Sequence, residues 1–244
     1  MPEGPSIVIL KEAIQEFKGQ KIISVDGNSK QDIQRLTSKR ILEFKSWGKH
    51  FLICFKGFSV RIHFMLFGSY SVNEKISYKK TRLGLHFKHG ALYFYACSVK
   101  IIEGDINAHY DFTGDVMSEN WSAANAKKKL RANPDMLVCD ALLDQNIFAG
   151  VGNIIKNEVG YRIFVHPESK VGALPLKQLN ALIKEARNYS FDFLEWKKQF
   201  VLKKHWLAHT KKICKRCDLP LIKKYSGKTK RRTFFCTNCQ VLYQ

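Results

Sequence analysis

Two groups of residues in this 244-residue chain could do chemistry by themselves. The first is the amino end, Met1-Pro2-Glu3-Gly4-Pro5. Removing the initiator methionine would leave Pro2 as a secondary α-amine beside a carboxylate, and an α-amine titrates roughly two to three units below a lysine. About a tenth of it is then in the nucleophilic neutral form at pH 7, which suits imine formation without a buried pocket. The same five residues also read as a turn into a helix, because Pro2 and Pro5 fix φ and Gly4 frees it. The second group is Cys214-x2-Cys217-x18-Cys236-x2-Cys239. Two knuckles of paired thiolates at this spacing can close a tetrahedral zinc site with no open position, a folding device rather than a Lewis acid. The segment is too short to bury a useful core, which is why an ion would be needed.

Three weaker signals accompany them. Gln145-Asn146-Ile147-Phe148-Ala149-Gly150-Val151-Gly152-Asn153 is a glycine-containing turn ending in an Asn at an expected N-cap, so its N–H groups could face a phosphate. The turn Ser46-Trp47-Gly48-Lys49 puts Lys49 between two strands, where a solvated lysine is also commonplace. Between the cysteine knuckles lie Lys223, Lys224, Lys228, Lys230, Arg231 and Arg232, interleaved with Tyr225, Phe234 and Phe235, which reads as a basic, DNA-contacting hairpin.

The elements that must position these residues follow from periodicity. Ser6 can cap a helix whose apolar positions Ile7, Leu10, Ile14 and Phe17 run at helical spacing until Gly19 stops it. From Lys21 to about Gly104 the pattern is short β-branched and aromatic runs: 21–25, 41–44, 50–55, 59–64, 68–72, 83–87, 91–95 and 99–102. Many short strands separated by turn signals predict a sandwich or a barrel. From about Val116 the period becomes helical, over 121–130, 136–144, 154–161 and a long stretch from Leu176 toward Leu194.

Composition narrows the partner. Lys and Arg number 41 against 21 Asp and Glu, a formal charge of +20 that calls for a polyanion, with nucleic acid ahead of an anionic membrane surface. No apolar run approaches membrane-spanning length and no secretory pattern opens the chain, so a cytoplasmic location is expected. The scattered Cys54, Cys97 and Cys139 read as buried thiols in a reducing compartment.

Taken in order, Pro2-Glu3-Gly4-Pro5, Gly48-Lys49, Leu142-Leu143-Asp144-Gln145, Gly150-Val151-Gly152-Asn153-Ile154, Asn157-Glu158, His166-Pro167 and Arg231-Arg232-Thr233-Phe234-Phe235-Cys236-x2-Cys239-Gln240 resemble the formamidopyrimidine-DNA glycosylase and endonuclease VIII family over essentially the whole chain. The resemblance implies an α+β multidomain fold: an N-terminal β-sandwich with a leading helix (1–115), a helix-two-turn-helix domain (116–209) and a β-hairpin zinc finger (210–244), with DNA in the cleft between domains. It implies a monomer acting on damaged double-stranded DNA with one structural zinc ion. Pro2 would be the nucleophile, Glu3 the proton shuttle if desolvation raises its pKa, and Lys49 a phosphate holder assisting proton transfer. Asn153 and Arg231 would clamp phosphates flanking a nucleotide flipped out of the helix. His63-Phe64-Met65-Leu66-Phe67-Gly68 matches the segment that fills the vacated space, with Met65, Leu66 and Phe67 at its tip, although plain strand alternation would turn Met65 and Phe67 into the core. A Leu followed by an aromatic is closer to the endonuclease VIII branch, and Tyr95-Ala96-Cys97-Ser98-Val99-Lys100 has no counterpart of the arginine segment of the other branch. Oxidised pyrimidines are therefore the expected substrates of a bifunctional glycosylase and AP lyase. The alternatives are an 8-oxoguanine-directed member, a non-catalytic zinc-finger binding module and, outside the family, an N-terminal-proline enzyme acting on a small keto acid, which would need neither the charge nor the finger. Ser6 departs from the family's usual acidic residue and Met65 from a polar gap filler.

Overall fold

The structure, a computed structural model, describes residues 2–244 and divides into two compact units, Met1–Asp111 and Phe112–Gln244. In the first, helix α1 spans Gly4–Ala13. Pro5 sits in its first turn, where a missing N–H costs nothing. Ile7, Leu10, Ile14 and Phe17 are almost completely buried, so the predicted apolar stripe is the packing face. Its ends differ from the sequence reading. Glu3, extended at φ −110°, is the N-cap, and Ser6 lies inside the first turn, donating its N–H to the Glu3 carbonyl at 2.8 Å. The α-helix stops at Ala13, and a 3-10 turn, Gln15–Phe17, brings Phe17 inward before Gly19 (φ 79°) redirects the chain.

Six strands follow: β1 Ser24–Asp26, β2 Glu43–Trp47, β3 His50–Phe55, β4 Phe58–Val72, β5 Thr81–His86 and β6 Ala91–Glu103. They form one antiparallel sheet in the order β1-β5-β6-β4-β3-β2. Two pairs of short predicted strands are each a single long one, 59–64 with 68–72 in β4 and 91–95 with 99–102 in β6. These long strands carry the sheet from one layer into the other. β5 pairs with the first half of β6, up to Tyr95, while β3 pairs with the first half of β4, up to His63. Side chains from both halves meet in one core, where Phe51 of β3 stacks on Phe94 of β6 with centroids 6.0 Å apart and Phe64 approaches the same ring at 6.4 Å. The sandwich is thus one sheet folded over its own apolar face, closed at the side by α1.

In the second unit α2 spans Ala123–Arg131, α3 Val138–Leu143, α4 Asn153–Arg162 and α5 Leu176–Lys198. Ser122 caps α2, accepting the Asn125 N–H at 3.1 Å. The helices share one core that includes Leu130, Leu142, Phe148, Ile155, Val159, Leu182 and Phe193. Glu158 is completely buried in α4 and accepts the backbone N–H groups of Leu207, Ala208 and His209 at 2.8–3.1 Å, tying down the segment that follows α5. Then come β7 Ile222–Ser226 and β8 Arg231–Phe235, a hairpin with a separate small core of Tyr161, Ala208, Leu221, Cys214 and Cys236. No helix among the described residues is long and apolar enough to cross a membrane.

Candidate functional site

In the first unit Pro2 is half-buried and Glu3 is buried at 3% exposure. Helix α1, which they open, packs on β2 and β3. Those strands are joined by the two-residue turn Gly48-Lys49, since Trp47 and His50 are register partners, and Gly48 takes the φ of 53° that such a turn demands. Fold and register thereby bring the turn lysine and the amino-terminal pair onto neighbouring elements.

The turn is braced from below by groups the sequence reading did not single out. His50 pairs with His63 of β4, ring centroids 5.1 Å apart, and its Nδ1 lies 3.2 Å from the Tyr110 hydroxyl. Trp47 donates Nε1–H to the Asp111 carbonyl at 2.9 Å. The His63 ring hydrogen-bonds the Lys49 backbone. Burial, reinforced by Arg61, His63 and Lys49, pushes His50 down to about 3. Burial lowers His63 too, against that hydrogen bond. Both imidazoles are consequently neutral at pH 7 and place no imidazolium beside the Lys49 ammonium. The signal that would have found them is the hairpin register, which puts residues 50 and 63 opposite each other.

The segment 65–67 stands off the sheet. Register on β4 jumps from Phe64 opposite Cys97 to Ser69 opposite Tyr95, so four residues face Ala96 alone, whose φ is 45°. Gly68 makes this possible, because a Cβ there would lie 2.7 Å from Phe64 Cβ and 2.9 Å from the Ala96 carbonyl oxygen. The core face of β4 is Val60, Ile62 and Phe64, so unbroken alternation would have buried Leu66 and left Met65 and Phe67 outward rather than turning them into the core; the bulge brings Leu66 out as well. Met65, Leu66 and Phe67 are 55%, 60% and 82% exposed, three consecutive apolar side chains in solvent. A hollow of about 460 Å³ beside them is lined by Met65, Phe67, Lys79, Arg82 and Tyr95.

In the second unit Gln145 staples the glycine turn, donating Nε2 to the carbonyls of Leu143 (2.7 Å) and Val151 (3.1 Å) and accepting the Gly150 N–H (3.1 Å). Gly152, not Asn153, is the N-cap of α4, and Asn153 occupies the first helical position. Its Nδ2 donates to the Arg232 carbonyl at 3.0 Å, while its Oδ1 is buried and finds no hydrogen-bond partner among the described residues. Arg231 is exposed at the start of β8. The hairpin turn before it is held by Asp140 of α3, which accepts the Lys228 N–H on both carboxylate oxygens at 3.0 and 3.1 Å.

The four finger cysteines converge, all Sγ atoms lying within 4.8 Å of one another. Two of the pairs, Cys214 with Cys239 and Cys217 with Cys236, are 3.8 and 3.9 Å apart. A tetrahedron of zinc–thiolate bonds of about 2.3 Å has edges of about 3.8 Å. The donor set and its size therefore fit such an ion, and the cluster could hold one.

Two successive models of one family match the chain: the formamidopyrimidine-DNA glycosylase N-terminal domain over residues 1–98 and the formamidopyrimidine-DNA glycosylase H2TH domain over 113–199. Endonuclease 8-like 3 of Bos taurus is 31% identical over 222 residues, 87% of this chain and 37% of that protein. Endonuclease 8-like 2 of Bos taurus is 27% identical over 98% of this chain and 96% of that protein. The chain spans well under half the length of the endonuclease 8-like 3 proteins it matches. Among solved structures, a viral DNA glycosylase superposes with a TM-score of 0.84 at 21% identity, covering 98% of this chain and all of that one. The Lactococcus lactis formamidopyrimidine-DNA glycosylase non-covalently bound to DNA containing an AP site gives 0.85 at 21% identity, covering 98% and 99%. Both share the α+β fold described above. The chain belongs to the formamidopyrimidine-DNA glycosylase and endonuclease VIII family, on its endonuclease VIII-like side.

Proposed function

We infer that this chain is a DNA glycosylase with AP lyase activity in base-excision repair, acting as a monomer on oxidised bases in double-stranded DNA, pyrimidines foremost. The observation that carries the reading is the packing of α1, opened by Pro2 and the buried Glu3, on the hairpin whose turn is Gly48-Lys49, within a chain matched in order by both family domains. With Met1 removed, the Pro2 nitrogen attacks C1′ of the damaged nucleotide. The N-glycosyl bond breaks, its electron pair leaves with the base, and Glu3 supplies and later retrieves protons at base and sugar. The C1′–O4′ bond then opens, O4′ taking a proton while the nitrogen lone pair forms the iminium. The iminium acidifies the 2′ hydrogen, whose loss expels the 3′ phosphate by β-elimination, and a further elimination expels the 5′ phosphate. Lys49 holds a phosphate beside the reacting sugar. Asn153 and Arg231 grip the flanking phosphates, and Met65, Leu66 and Phe67 enter the stack where the flipped nucleotide was. Residues 1–115 carry the chemistry, 116–209 and the finger 210–244 the grip.

Cys214, Cys217, Cys236 and Cys239 are the residues that would hold zinc, which supplies folding energy to the finger. Metal analysis should return one zinc per chain, and its removal by a chelator should abolish lesion-DNA binding while leaving the first unit folded. Fully active protein without metal would refute this. The isolated thiols are inert by comparison, burial pushing Cys97 up to about 12 and Cys139 up to about 11, in keeping with the proposed reducing, cytoplasmic setting.

The test of the reading is excision from duplexes carrying an oxidised pyrimidine, 8-oxoguanine or a preformed abasic site. Leu66→Ala should slow excision of the oxidised pyrimidine about tenfold or more, as removal of a stacking wedge does, and spare the abasic site. Leu66 is exposed, so its melting temperature should stay within about 2 °C of the parent. Parallel loss on every substrate would make the segment structural. Robust 8-oxoguanine removal with no action on oxidised pyrimidines would reassign the substrate class, and absence of all three reactions with binding intact would leave a binding module.

A further inference from the structure

The finger hairpin has two strands, so β8 carries an outer edge whose N–H and C=O groups need partners. Among the described residues no third strand supplies them; the side chains of α4 do. Asn157 accepts the Phe234 N–H on Oδ1 at 3.0 Å and donates Nδ2 to the Arg232 carbonyl at 3.3 Å. Residues two apart on a strand turn their backbone groups to the same edge, so this one amide reproduces the donor and acceptor of a neighbouring peptide. Lys156 adds a second tie. Its Nζ donates to Thr233 Oγ1 at 2.8 Å and reaches the Arg232 carbonyl at 3.4 Å, and Thr233 Oγ1 in turn donates to the Arg231 carbonyl at 3.1 Å. With Asn153 Nδ2 at 3.0 Å, three donors from one helix converge on a single carbonyl oxygen. Lys156, Asn157 and Thr233 are each at most 3% exposed. An ammonium and an amide buried to that degree are kept only where their partners are fixed.

We propose that Lys156 and Asn157 are positioning residues for Arg231. They lock the Arg231–Arg232 backbone onto α4, so that Arg231 and Asn153 are presented to DNA from one rigid element. The cysteine cluster folds the finger, and the helix aims it. This deepens the phosphate-gripping role given to Arg231 above and rests on it.

The decisive experiment is a double-mutant cycle on lesion-DNA binding by the full chain across a salt series, with zinc content measured for every variant. Arg231→Ala should weaken binding and reduce the salt slope by about one phosphate contact. Lys156→Met, which keeps the aliphatic stem, should lower affinity about tenfold and lose the same slope with zinc still at one per chain, while costing under about twofold when added to Arg231→Ala. Asn157→Asp keeps the acceptor for Phe234 and loses the donors, so it should behave alike and serves if Lys156→Met fails to fold. An undiminished penalty in the Arg231→Ala background, or loss of zinc and of the melting transition in both variants, overturns the positioning role. A silent Arg231→Ala single variant also overturns it, and by appearing before either α4 residue is touched it marks the phosphate role as the part that failed.

Discussion

Any residue left ahead of Pro2 should abolish both base excision and strand cleavage, a loss of at least about 10³-fold, because an amide nitrogen has no free lone pair with which to attack C1′. A retained Met1 does offer its own α-amine, but displaced by about one residue spacing of 3.8 Å, well outside reach of an attack geometry set for Pro2. Borohydride added to processed enzyme and lesion-bearing DNA should trap a covalent adduct, and peptide mapping should place it on the Pro2 nitrogen. The extended form should give no adduct while still binding the same duplex, since the finger and the α4 turn lie far from Pro2 in sequence and belong to the other compact unit. An adduct on a lysine of processed protein would sink the assignment, Lys49 being the first one to check.

Glu3→Gln is expected to slow base excision by about 10²–10⁴-fold, the range of a lost positioned acid, and to leave cleavage of a preformed abasic site within about tenfold of the parent. The asymmetry follows from the leaving group. Expelling a damaged base asks for a proton as the N-glycosyl bond breaks, whereas at an abasic site the base is already gone and the amine meets an aldehyde. Glu3 is enclosed at 3% exposure at the N-terminus of α1, so the isosteric amide fits the same space and the fold should hold. Single-turnover rates on the two substrates check this. Equal losses on both would give Glu3 a role in the imine steps or in the packing of α1.

The sequence determined the parts whose information is local. The apolar stripe Ile7, Leu10, Ile14 and Phe17, the four helices of the second unit and the two cysteine knuckles are written in residue type and spacing, because helix burial and metal ligation repeat at fixed intervals along the chain. Its errors are boundary errors of the same kind: Ser6 and Asn153 are good caps by composition, yet the chain enters each helix one to three residues earlier, through Glu3 and Gly152. What only the tertiary structure decided depends on which distant residues are paired. Short apolar runs cannot reveal that 59–64 and 68–72 are one strand, or that a bulge opposite Ala96 turns Met65, Leu66 and Phe67 all outward, since strand alternation alone buries every second one. The His50–His63 pair beneath Lys49 exists through the β3–β4 register. The Lys156 and Asn157 hold on β8 spans about 75 residues of chain, and such buried polar contacts appear only when packing brings a distant carbonyl within reach of a donor.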